Sequence, residues 1–187
     1  MQRCHWCTND ADYIQYHDTE WGVPSYDPHY LFEMLILEGF QAGLSWRTIL
    51  QKRERFREVL FQFRPELLAA MPDSHIDTLM QDPGIVRNRL KLRAARTNAQ
   101  AWLRLENPVE LIWSVTDGQP KINHYADHTH APATSPQADE LSRFLKKAGF
   151  KFVGPTICHA YLQATGVLME HTMDCYRYKQ LSVNLID

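Results

Sequence analysis

The chain has 187 residues, 44% hydrophobic and 22% charged, with a formal net charge of −2 at pH 7. That length suits one domain with a sizeable core, and no stretch approaches the roughly 20 apolar residues that span a bilayer. The slightly acidic balance argues against a nonspecific nucleic-acid coat, though not against a local basic patch. With no apolar leader core at the N-terminus, a cytoplasmic protein with four reduced cysteines is expected.

Cys4-His5-Trp6-Cys7 comes first, and C-x-x-C in such a protein suggests a zinc knuckle or a redox pair. The first marked helix starts with Asp27 as N-cap and Pro28 in the first turn, and places Leu31, Met34, Leu35 and Glu38 on one face. Gly39 and Gly43 break it before Ser45 caps the next helix, which carries Trp46, Ile49, Leu50 and Phe56. Pro72-Asp73 begins a short helix ending near Gln81, and Asp82-Pro83-Gly84 is a turn. A long helix over 85–105 follows, with Leu92, Ala95, Ala99 and Trp102 on one side. Its early cations, Arg87, Arg89, Lys91, Arg93 and Arg96, read either as a solvated face or as a phosphate-contact surface. An apolar run over 110–115 ends at Asp117-Gly118, and the aperiodic stretch 118–135 reads as a surface loop whose His124, His128 and His130 suggest a metal site but read rather as solvated histidines. Ser135-Pro136 caps a helix that turns Leu141, Phe144, Leu145 and Ala148 inward and stops at Gly149. Another helix runs from about Thr156 to Gly166, and the fold class is all-α.

Two stretches carry chemistry. AGFKFVGPTI at 148–157 has the outline of a helix-hairpin-helix, in which backbone N–H groups and a helix N-terminus bind a phosphate without reading sequence; a plain αα-hairpin explains it as well. His171-Thr-Met-Asp-Cys175 is an H-x3-C pair suited to tetrahedral zinc. Its partners at the N-terminus are either Cys4 with Cys7, or Cys4 with His17, and spacing leaves both open. Cys158 reads as a small core residue, and His5, His29, His75 and His159 as surface or core histidines. Glu38 is a carboxylate on an apolar face, costly to bury without a partner. With the aromatics Trp6, Tyr13, Tyr16, Trp21 and Trp46 it describes a slot for a flat, electron-poor ring.

RCxW at 3–6, YIQYHDTEWGVP at 13–24, LFEMLILEGFQAGLSW at 31–46, QDPGIVRNRLK at 81–91, LKKAGFKFVGPTIC at 145–158 and HTMDC at 171–175 closely resemble the type I 3-methyladenine DNA glycosylases, bacterial repair enzymes of the helix-hairpin-helix superfamily. The pieces span nearly the whole chain in order; the 118–135 loop and the tail beyond Cys175 match poorly. The resemblance implies one glycosylase domain over 1–187, its ends 1–20 and 168–180 packed together around a structural zinc on Cys4, His17, His171 and Cys175, which leaves Cys7 a bystander. It implies excision of 3-methyladenine from alkylated double-stranded DNA by a monomer, with Glu38 and Tyr16 on the base and Trp6, Tyr13, Trp21 and Trp46 around it. Gln41, Gly43 and Leu44 would approach the gap left by the flipped base, Leu44 as wedge, while Gly149, Lys151 and Gly154 grip phosphate. Glu170 and Asp174 receive no role. Two rival classes are a damage-binding module without hydrolysis, and a small-molecule zinc hydrolase with water as fourth ligand.

Overall fold

Side chains that close the first turn set where the helices begin in a computed structural model describing residues 1–184. Asp10 accepts hydrogen bonds from the N–H groups of Asp12 and Tyr13 and starts α1 (Ala11–Thr19), a helix the sequence does not announce. Asp27 caps α2 (Pro28–Gln41) and Ser45 caps α3 (Trp46–Val59), as expected. After α4 (Pro65–Ala69) and α5 (Asp73–Leu79), Asn88 caps α6 (Arg89–Trp102), which makes that helix shorter than the 85–105 expected. Asn107 caps α7 (Pro108–Trp113) and Ser135 caps α8 (Pro136–Lys147). Then come α9 (Pro155–Ala164) and α10 (Tyr176–Asn184). Among the described residues the fold is all-α apart from one two-residue pairing.

That pairing corrects the reading of 118–135 as an aperiodic loop. β1 (Lys121–Ile122) lies parallel to β2 (Leu168–Met169), with Lys121 opposite Leu168 and Ile122 opposite Met169. The Met173 N–H also donates to the Tyr125 carbonyl at 2.9 Å, so the loop is fastened along the segment that ends in His171 and Cys175. Strand pairing between residues this far apart leaves no local period to read.

α2 is the central element, packed by α3, α6, α7 and α9. Every residue from Leu31 through Phe40 is buried, so the helix has no solvent face. The expectation of a single apolar face is therefore corrected: Glu38 is unusual because α2 is covered all round. α8 and α9 pack on each other and are joined by a turn at 148–154. Gly149 there adopts φ +96°, a region open to glycine, and Phe152 is held at φ +55°. Gly154 sits at φ −67° as the N-cap of α9, with open space where a Cβ would stand.

Candidate active site beside a metal-ligand cluster

The N-terminal segment, α1 and the stretch after β2 bring Cys4, His17, His171 and Cys175 together. Their donor atoms lie within 4.8 Å of one another and all four residues are buried. Cys4 Sγ stands 3.4 Å from His171 Nδ1, and Cys175 Sγ stands 3.5 Å from His17 Nε2 and from His171 Nδ1. The outward nitrogens are engaged elsewhere. His17 Nδ1 donates to Asp18 Oδ1 at 2.8 Å, and His171 Nε2 donates to the Trp21 carbonyl at 2.9 Å. Since a carboxylate and a carbonyl only accept, these bonds turn a lone pair of each ring toward the sulfurs. Arg3 holds Asp18 through Nη2 at 2.7 Å and pulls its carboxyl well below the usual range. The hydrogen bond from Cys4, then those from His17 and His171, push the Cys175 thiol far down, so thiolate is favoured there. This donor set fits a tetrahedral metal. Cys7 is outside it, its Sγ directed to the Tyr13 carbonyl at 3.7 Å, so the choice between the two N-terminal pairings falls on Cys4 and His17.

Against the cluster lies a cavity of about 290 Å³ lined by Trp6, Tyr13, Tyr16, Trp21, Glu38, Gln41 and Trp46, with Cys4 and Thr172 at its cluster end. Trp6 meets His17 at 5.3 Å and Trp21 at 5.0 Å between ring centroids; Tyr16 meets Trp46 at 5.4 Å. The indole nitrogens of Trp6 and Trp46 are buried with no hydrogen-bond partner among the described residues. Tyr13 lines the cavity, but its hydroxyl accepts the Arg47 N–H at 3.0 Å and so anchors the start of α3.

Two glutamates of α2 show what is special here. Glu33 is 3% exposed and is met by Arg53 Nε at 2.6 Å and Arg57 Nη2 at 2.7 Å. Glu38 is equally buried at 3%, yet its carboxyl has no hydrogen-bond partner among the described residues and borders the cavity. Burial alone pushes its pKa up to about 8. A buried carboxyl without a cation is costly unless something else meets it. Tyr16 beside it is held as the neutral phenol, first by burial and then by the Glu38 charge.

Sequence reasoning missed a second wall. Gln163, Glu170 and Ala131 also line the cavity, the last from the 118–135 loop. Glu170 accepts from Asn123 Nδ2 and Gln163 Nε2, each at 2.7 Å. Burial raises its pKa, but nearby His159, at 3.5 Å, and the hydrogen bonds from Gln163 and Asn123 outweigh that and lower it. A glutamate next to a candidate ligand was the available signal. Asp174 is exposed and meets Gln2 at 3.4 Å.

Beyond Glu38, α2 ends in a tight turn. The Leu44 N–H donates to the Gln41 carbonyl at 2.7 Å, Gly43 takes φ +79°, and Leu44 is 40% exposed. Across from it the turn at 148–154 carries an exposed Lys151, whose backbone N–H and carbonyl are both bound by Asn98, at 2.8 and 3.0 Å. Part of the basic run is engaged within the chain, while Arg87 stays exposed. Arg89 pairs with Asp77, Arg96 with Asp73 at 2.8 Å, and Lys91 points inward.

The helical fold thus sets the Glu38 carboxyl in an aromatic cavity beside a Cys2His2 cluster, the build of a ligand-binding site. The sequence model of the methyladenine glycosylase family matches residues 6–178, and the chain belongs to that family. DNA-3-methyladenine glycosylase 1 of Escherichia coli K12 is 45% identical over 182 residues, covering 95% of this chain and 97% of its own. A crystal structure of 3-methyladenine DNA glycosylase I superposes with a TM-score of 0.92 at 47% identity, covering 94% of this chain and 98% of that one. The Staphylococcus aureus 3-methyladenine DNA glycosylase I, solved to explain 3-methyladenine recognition, gives 0.91 at 40% identity, with 94% and 96% covered. No helix among the described residues is long and apolar enough to cross a membrane.

Proposed function

We propose that this protein is a DNA glycosylase that excises 3-methyladenine from alkylated double-stranded DNA and leaves an abasic site. The observation that carries the reading is Glu38, a buried carboxyl with no partner, set into a cavity walled by aromatic rings. An N3-methylated adenine in DNA is a flat cation. Aromatic faces prefer it to neutral adenine, and a carboxylate neutralises it. Near pH 7 burial leaves Glu38 largely protonated, so a cationic base entering beside it displaces that proton. The carboxylate then accepts from the exocyclic amine, and the Tyr16 hydroxyl contacts the ring. Trp6, Tyr13, Trp21 and Trp46 complete the slot.

The methylated base lies in the stack, so it must be flipped out at a cost of a few kcal/mol. The turn at 148–154 acts as the helix-hairpin-helix: Gly149, Lys151 and Gly154 hold phosphate, while Gln41, Gly43 and Leu44 enter the gap with Leu44 as wedge. Breaking the bond from C1′ to the base leaves the electron pair on the base, which departs neutral because the ring already carried a positive charge. Water adds at C1′ and loses a proton. A leaving group this good needs little acid catalysis, so the chain's task is selection and extrusion.

Zinc is the metal this reading places on Cys4, His17, His171 and Cys175. Four protein ligands leave no position for water, so it serves structure by joining the two ends of the chain and fixing Trp6. The same reading has the protein work as one domain over 1–187 and as a monomer in the cytoplasm, where free cysteines persist. Incubating methylated duplex DNA with the purified protein and chromatographing the released bases tests the function. Free 3-methyladenine is expected; tight binding of the duplex without release would make this a damage-binding module instead.

A further inference from the structure

Lys91 belongs to the basic run by sequence, but not by position. It is 8% exposed and lies in the first turn of α6. Its ammonium donates to the Phe40 carbonyl at 2.9 Å and to the Ala42 carbonyl at 2.6 Å. These carbonyls belong to the last turn of α2 and to its C-cap, where a helix leaves carbonyls unpaired and its dipole favours a cation. One residue further on, Gly43 turns the chain and Leu44 projects to solvent. The Lys91 Nζ also lies 6.0 Å from the ring centroid of Phe152, in the turn at 148–154. A Cβ added at Gly39 would stand 3.6 Å from Phe152 Cβ, so α2 and that turn approach closely just there. Further along α6, Asn98 clasps Lys151 of the same turn through both backbone groups. One helix thus holds both the phosphate-gripping turn and the turn that carries Leu44.

We infer that Lys91 is a positioning residue for base extrusion: it fixes the Gln41–Leu44 turn relative to the turn at 148–154, so that Leu44 meets the duplex already in place. The inference rests on the functional reading above. A wedge ordered in advance loses no conformational freedom when DNA binds, whereas a loose one must be ordered at that moment. Only steps that need the wedge should therefore depend on Lys91.

The variant is Lys91→Met, which keeps the stem and removes the charge and both donors. Lys91→Gln, shorter but still a donor, is run beside it so that a folded protein is in hand. An oligonucleotide with a single adenine is methylated and annealed to a strand carrying either thymine or an abasic analogue opposite. Single-turnover release from the thymine-opposed lesion should slow by about tenfold, equivalent to about 1.4 kcal/mol in the barrier. Release from the unpaired lesion, whose extrusion is easy, should stay close to wild type, as should affinity for free 3-methyladenine and zinc content, while the unfolding midpoint falls because two carbonyls lose their donor. Equal slowing on both duplexes, no slowing on either, or weakened free-base binding would overturn the inference. Release by wild type checks the functional reading separately, because Lys91 is judged only by the ratio of variant to wild type on each duplex.

Discussion

The metal-ligand cluster and the cavity share a wall at Cys4 and Trp6, yet their polar atoms are treated in opposite ways. Around the cluster each outward group has a partner: His17 has Asp18, Asp18 has Arg3, and His171 has the Trp21 carbonyl. In the cavity the Trp6 and Trp46 indoles and the Glu38 carboxyl have none among the described residues. An unsatisfied buried group costs about 1–3 kcal/mol, so a fold keeps several together only where a visitor completes them. Here the groups closed within the chain hold the cluster's shape, and the cavity keeps open the groups a ligand can meet. The contrast between Glu33 and Glu38 repeats the lesson within a single helix.

The largest test of this division is Cys175→Ser. It should empty the metal site and lower the unfolding free energy by several kcal/mol, because metal binding and folding are coupled; metal analysis and denaturant titration read both. A variant that kept full stability but lost base binding would place the cluster in the ligand site and break the comparison. Asp18→Asn acts one shell out and should weaken metal affinity about 10–100-fold in chelator competition, leaving base binding intact once metal is saturating.

Glu38→Gln should leave the metal untouched and slow excision about tenfold, or about 1.4 kcal/mol. Its stability effect has a definite sign. With the folded carboxyl raised from an ordinary 4.5 to about 8, the folded state keeps a proton that the unfolded chain gives up. Wild-type stability from this group is therefore full at low pH and declines as pH rises from 4.5 to 8. The Gln variant lacks that decline, so it should gain on wild type between these limits in urea titrations. Parallel curves would mean that Glu38 is well solvated and not open to a ligand in the sense argued here. Smallest of all, Cys7→Ser should retain one metal per chain and shift stability by no more than about 0.5 kcal/mol.

Local signals were legible in the sequence wherever one short stretch carried them. Asp27, Ser45 and Ser135 cap the helices they announce. The ligand quartet came from the family resemblance, because spacing alone left Cys7 and His17 equivalent. What failed to read through was tertiary pairing. The acids that pair with Arg89, Arg93 and Arg96, Asp77 and Asp73, sit on a different helix. β1 and β2 are too short to show a period. Glu170 looked idle beside a ligand until Asn123 and Gln163, from two other segments, were found on it. Even Glu38 was singled out for a partial reason, since α2 turned out to be buried on every side.

That burial sets a timescale. Amide protons along the middle of α2 have no solvent-facing side and should exchange only when the whole fold opens, whereas those of the exposed stretch around Ala131 should exchange through local opening. The cavity therefore has one hard wall, carrying Glu38, and one soft wall, carrying Ala131. On the functional reading proposed above, the hard wall keeps the carboxyl in place against an entering ring, which is what choosing a methylated base over an ordinary one requires. On that same reading, a base enters and leaves past the soft wall while the choosing side keeps its shape.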